Sequence, residues 1–166
     1  MGPRRAAPAR RHDPPLHPIG GLFMLLFAQP LATICRMRTD QVTITDDGDV
    51  LVRFKDTAIQ MPGPLDALIR DHLTRHGQAS YASRNGRWLF PGGITGNPLT
   101  TENVRSQLVA RGIKPHDSRK AALFQLAAEV PTPILADLLG IHTTTAVAWA
   151  TLAARDWSSY ITERAR

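Results

Sequence analysis

The 166-residue sequence predicts a mainly α-helical domain with one small antiparallel three-stranded sheet. Apolar residues recur three and four apart over most of the chain after residue 63, the spacing of helices with one buried face. Between Val42 and Met61 the period changes to two, the spacing of strands. The run Asp46-Asp47-Gly48-Asp49 interrupts that alternation and supplies a hairpin turn.

Residues 1–19 carry four arginines and five prolines with few large apolar groups, so we expect a disordered basic arm ahead of a domain spanning 20–166. The arm reads either as a contact to phosphates or as a linker with no role. Gly20 to Met37 reads as a helix broken at Pro30, with Leu22, Leu25, Leu26 and Phe27 facing the core and Leu31 and Ile34 continuing that face. Val42 and Ile44 form the first strand. Val50, Val52 and Phe54 form the second, and residues 57–61 the third.

Pro64 opens a helix with Leu65, Leu68, Ile69 and Leu73 inward and Arg70, His72, Arg75 and His76 outward. His72 and His76 are four apart, but no further ligand cluster accompanies them, so no metal is expected. Gln78 to Arg87 is polar and reads as a loop. Trp88-Leu89-Phe90 is a short extended stretch before a glycine- and proline-rich turn, which lacks the Lys-Ser/Thr of a phosphate-binding loop. Thr100 or Thr101 with Glu102 starts a helix through Val104, Leu108 and Val109 to Gly112.

Lys114 to Trp149 organises the rest. Pro115 suits a first helical position, and Asp117 and Ser118 suit a cap or first turn. Leu123, Leu126 and Ala127 mark the buried face. Pro131 and Pro133 end that helix and start a short one with an apolar face from Ile134 to Leu139. Gly140 can supply a left-handed end, and Thr143 or Thr144 can cap a last helix through Ala146, Trp149 and Leu152.

The composition is that of an ordinary globular protein, 43% hydrophobic and 20% charged. Net charge is +6, half of it on residues 1–19, which favours an anionic partner without dictating a fold. One cysteine, Cys35, excludes an internal disulfide and fits a reducing, cytoplasmic setting; it lies in an apolar run and reads as a small core residue. The apolar stretch Leu22 to Leu31 is too short to span a bilayer, and its flanks do not suit a secretory signal, so no membrane partner is expected.

His116 and Arg119 share the start of a helix, where free N–H groups and a partial positive charge favour phosphate and an Arg adds a bidentate clamp. Together with Leu138-Leu139-Gly140, with Met37-Arg38 ahead of Asp40 and Val42, and with Trp88-Leu89-Phe90-Pro91 before Pro98-Leu99-Thr100, these residues resemble the catalytic domain of the tyrosine recombinase (phage integrase) family. The likeness covers roughly residues 20–155. It implies that fold, duplex DNA as partner, and no cofactor or small-molecule substrate; a homo-oligomer on DNA is compatible with it. In that family a Tyr hydroxyl attacks phosphorus while two Arg and a His or Lys neutralise the phosphoryl oxygens. The resemblance makes His116, Arg119, His142, Lys55 and Tyr160 the remnant catalytic candidates. Arg119, Lys120, Lys55, Arg105 and Arg111 are the DNA-contact candidates.

The departures weigh against strand cleavage. Gly140 is followed by Ile141, with His142 one residue late; the nucleophile position falls on Ala150 and the first catalytic Arg position on Pro30. Tyr160, ten residues past Ala150, reaches the site only if the last helix folds back. The family's upstream core-binding domain is not expected in a chain of this length. A second reading of 131–154 is a helix-turn-helix, with Thr143, Thr144 and Thr145 at the groove. A third is an inactive mobile-element fragment or an interaction domain.

Overall fold

The structure, a computed structural model, describes residues 18–80, 88–94 and 96–164, the side chains of 76–80 and 156–164 excepted. Helix α1 (Pro18–Phe27) takes Pro18 as its first residue, where the missing N–H is no loss. Pro18 and Ile19, placed by the sequence in a 1–19 arm, are helical; residues 1–17 lie outside the described residues. Ile19, Phe23 and Met24 are buried, whereas Leu25 and Leu26 are 40% and 44% exposed. That corrects half of the face expected from the sequence, since Leu22 and Phe27 do pack against the core. A run apolar on every side cannot choose a face by periodicity, and the choice is made by packing: the Phe23 ring meets Phe54 edge-on at 5.0 Å and Phe90 at 6.4 Å.

The break after α1 covers Ala28, Gln29 and Pro30, and α2 follows (Leu31–Cys35). Cys35 is buried, as its apolar run suggested. A single 3-10 turn (Thr39–Gln41) leads into the sheet. Gln41 closes it: its side-chain oxygen accepts from Arg38 N at 2.8 Å, and its amide donates to Arg53 O at 2.9 Å. Asp40, the residue singled out in the sequence, instead pairs with Arg38 Nε at 3.5 Å.

Strands β1 (Val42–Ile44), β2 (Val50–Arg53) and β3 (Ala58–Gln60) form an antiparallel sheet in that order, with Val52 opposite both Val42 and Ile59. Val50, Val52 and Phe54 are buried, while Ile44 on an edge strand is 49% exposed. Gly48 turns the β1–β2 hairpin at φ 88°. Arg70 of α3 (Gly63–Ser80) donates to the Gly48 carbonyl and bonds Asp66 at 2.8 Å, so the hairpin tip is pinned to the helix.

Helix α3 buries Leu65 and Ile69 as expected. His72 was expected on the outer face but is 2% exposed. Its Nε2 lies 2.6 Å from the Leu89 carbonyl and its ring 5.5 Å from Phe90, so it ties the 88–90 stretch to α3. His76's side chain lies outside the described residues. Helix α3 also continues through Ser80, so residues 78–80 are helical and not loop; 81–87 lie outside the described residues.

Leu89 N donates to Met37 O at 2.8 Å and Leu99 N to Phe90 O at 2.9 Å, stitching the Pro-Gly turn back onto the core. A Cβ at Gly92 would fall 2.5 Å from Pro98 O, which is why that turn needs glycine there. Helix α4 (Thr101–Ala110) is capped by Thr100, which accepts from Asn103 N at 3.3 Å. Val104 and Leu108 are buried; Val109 is 58% exposed and does not join them.

The last three helices are α5 (Pro115–Glu129), α6 (Thr132–Leu139) and α7 (Thr143–Arg164). They close a second core made mostly of alanines: Ala28, Ala127, Ala136, Ala146 and Ala153, with Leu123 and Leu135. The alanines let the backbones of α5, α6 and α7 approach closely. On α7 Ala153 is buried while Leu152 is 49% exposed; Ile134 on α6 is likewise 55% exposed. Among the described residues no helix is long and apolar enough to cross a membrane, and no group of His, Cys, Asp or Glu is placed to hold a metal.

Candidate nucleic-acid interface

The joint between α1 and α2 is a hub. Ala28 is fully buried with φ 51°, a left-handed conformation unusual for a residue with a Cβ. Its carbonyl accepts a 2.7 Å hydrogen bond from Arg119 Nε, 91 residues along the chain. The next residue, Gln29, is 2% exposed, and its amide donates to both Phe27 O and Leu138 O at 3.1 Å. These bonds draw α5 and the end of α6 to the same three-residue break.

Arg119 is the feature with chemical consequence. It is half-buried, and desolvation lowers its pKa with no opposing carboxylate among the described residues. Its Nε is held by Ala28, which leaves the two terminal nitrogens of the fork without a protein partner among the described residues. A guanidinium so placed is pre-oriented for an oxyanion. It sits on the fifth residue of α5, one turn after the exposed His116, and the amides of His116 and Asp117 lack an intrahelical acceptor. Lys120, beside it, is exposed.

Lys55, in the turn between β2 and β3, is exposed, and its stem lies against Gly140. A Cβ on Gly140 would fall 2.9 Å from Lys55 Cδ and 3.2 Å from Nζ. Gly140 has φ 62° and ends α6; Ile141 N donates to Ala136 O at 3.1 Å and Gly140 N to Asp137 O at 3.2 Å, the double closure a left-handed glycine permits. The break after α1, the start of α5, the end of α6 and the β2–β3 turn are thus joined through three contacts.

His142 plays a different part. It, and not Thr143 or Thr144, caps α7: its carbonyl accepts from Thr145 N and Ala146 N, and its Nδ1 accepts from Thr144 N at 3.3 Å and lies 2.9 Å from the Thr144 hydroxyl. Arg105 and Arg111 are exposed on α4 and at its end, where Arg111 bonds Gln107 O at 3.0 Å; among the described residues neither touches the joint. Helix α7 is continuous from Thr143 to Arg164, so it does not fold back. Tyr160 stands about 15 Å further along its axis than Ala150; the Tyr160 side chain lies outside the described residues. Pro30 follows Gln29 in the hub and supplies no charge.

An open groove of about 680 Å³ runs along another face of α5, past Lys120, Ala121 and Phe124. It is bordered by the carboxylates of Asp117 and Glu129, an ill-suited seat for a polyanion. Residues 130–154, which hold α6 and the first half of α7, contain no Lys or Arg.

Sequence reasoning missed Ala28 and Gln29. Gln29 did leave a signal: it is the one polar side chain between Leu22 and Leu31, and a lone amide in an apolar run is expected to find buried carbonyls. Nothing in the sequence announced the left-handed conformation of Ala28.

No protein-family model and no curated protein matches this chain. Solved structures do. A XerH site-specific recombinase in a post-cleavage complex with palindromic difH substrate matches with a TM-score of 0.63 and 12% identity, over 98% of this chain and 48% of that one. The pre-cleavage complex of XerH with difH gives 0.59 at 14% identity, over 85% and 44%. A XerA recombinase gives 0.57 at 15% identity, over 87% and 55%. The chain therefore has the fold of a tyrosine recombinase catalytic domain, and it spans about half the length of the structures it matches.

Proposed function

We propose that the protein grips duplex DNA through phosphate contacts centred on Arg119, and that its capacity to cleave a strand is impaired or lost. The observation that carries this reading is the half-buried Arg119 fork, anchored by Nε on Ala28 O and lacking a carboxylate partner among the described residues. His116 and Lys120 flank it on α5, and Lys55 lies over the Gly140 turn, so a hydrogen-bonding imidazole and two further cations are available to phosphates. The fold supports the same partner, since two of the structures it resembles hold a DNA substrate. Impairment is supported by Ala150, which has no hydroxyl, by Pro30, which has no charge, and by the unbroken α7 that carries Tyr160 away from Ala150.

Binding of a labelled duplex across a salt series tests the grip. Affinity should fall linearly on a log–log plot against salt. Arg119→Ala should weaken binding about tenfold and lower the slope by about one. Absent or salt-independent binding would remove the proposal. A suicide DNA substrate tests cleavage: no covalent adduct is expected, and a trapped Tyr160 adduct would overturn the impairment.

The helix-turn-helix reading ranks second. Gly140 does turn α6 into α7 and leaves Thr143, Thr144 and Thr145 exposed. Without a Lys or Arg from 130 to 154, such a unit has few groups for the backbone contacts that fix register. A sharp motif from a random duplex pool would favour it over the phosphate grip.

A further inference from the structure

We infer that Gln29 is a positioning residue: its buried amide locks the α6–α7 turn, and with it Lys55, to the peptide that anchors Arg119, so that the two cations act on one stretch of DNA backbone as a unit. The inference rests on the DNA-binding reading above. At the end of α6 the turn amides satisfy the Ala136 and Asp137 carbonyls. The Leu138 carbonyl is taken by Gln29 Nε2 at 3.1 Å, across a separation of 109 residues. The same amide donates to Phe27 O at 3.1 Å, and Gln29 N donates to Phe23 O at 3.3 Å. Gln29 is therefore fixed from both ends, and its N–H shares a peptide with the carbonyl that holds Arg119.

On the far side, the turn that Gln29 holds carries Gly140, and the Lys55 stem rests on it. A Leu or Met at position 29 would fill the same space but take the amide donor from both the Leu138 and the Phe27 carbonyls, so the link between the end of α6 and the break after α1 is lost. The role is distinct from mere core filling because it predicts an effect on the coupling between two other residues.

The test is a double-mutant cycle for Arg119→Ala and Lys55→Ala, read as duplex affinity by fluorescence anisotropy at low salt, in the wild-type and Gln29→Met backgrounds. With wild-type Gln29 the two losses should be non-additive, the double variant binding about tenfold better than the product of the single losses. With Gln29→Met, checked as folded by circular dichroism, the losses should simply multiply. If Gln29→Met does not fold, Gln29→Asn keeps the amide but falls one methylene short of Leu138 and reads the same quantity. Unchanged coupling in a folded Gln29 variant, or additive losses with wild-type Gln29, would overturn the inference while leaving the DNA grip standing. A wild-type protein that binds no duplex would overturn both.

Discussion

Arg119 gives its Nε hydrogen to the carbonyl of Ala28, and Ala28 is the one described residue other than glycine with a positive φ. The bond does two things at once. It holds a strained peptide in place, and it fixes the direction in which the terminal nitrogens of the guanidinium point. A Lys at 119 would keep the charge but could not hold the carbonyl and present a planar fork together. Arg119→Lys should therefore lose most of the duplex affinity that Arg119→Ala loses, with a measured salt slope that stays near wild type. Near-wild-type affinity for Arg119→Lys would mean that only the charge matters.

Ala28 itself offers a contrast between two substitutions. Gly relieves a left-handed strain of about 1–2 kcal/mol but removes a buried methyl of about 0.8 kcal/mol. Ala28→Gly should thus stay within about 1 kcal/mol of wild type in urea unfolding. Ala28→Val adds a β-branched side chain at φ 51° in a fully buried place, and it should cost at least about 2 kcal/mol. Equal stabilities for the two variants would refute the strain.

Gly140→Ala combines a φ of 62° with a Cβ 2.9 Å from Lys55 Cδ. The Lys side chain is flexible and can yield, so the stability loss should be about 1–2 kcal/mol, mostly from the backbone. Because Lys55 is what yields, duplex affinity should fall as well. A stability loss with unchanged affinity would place Lys55 outside the DNA contact.

Cys35 provides a pH dependence. Burial raises its thiol pKa above the ordinary 9.0, and a hydrogen bond with Thr101 acts more weakly in the opposite sense. A raised acid pKa in the folded state favours the neutral thiol there. Its contribution to stability is complete below the unfolded pKa and disappears as pH rises through the higher folded value. Stability should therefore decline above pH 9 more steeply in wild type than in Cys35→Ala, measured by urea unfolding along a pH series. Identical alkaline slopes for the two proteins would contradict the burial argument.

The strands, the hairpin glycine, the α4 cap at Thr100, the Pro115 start and the left-handed Gly140 were legible in the sequence, because each rests on local rules of period or backbone freedom. Faces were less legible. Leu25 and Leu26 were expected inward and lie exposed, since an apolar residue on a crowded helix is sorted by what the neighbouring helix presents. His72 was misplaced for the converse reason: its burial depends on the Leu89 carbonyl, 17 residues away. Arg119 and Lys55 stand out in the sequence only as candidates, and the residues they touch, Ala28 and Gly140, are long-range contacts that no local pattern encodes.

The stretch from 130 to 154, free of Lys and Arg in a protein of net charge +6, has a bearing on how the molecule meets a polyanion. An even coat of positive charge would let it collide in any attitude and then search. With no Lys or Arg on that stretch, the field of a duplex, the partner proposed above, would exert a torque as well as a pull and turn the cationic side of the molecule toward it. Such steering would favour productive encounters at low ionic strength, and the advantage would fade as salt shortens the reach of the field.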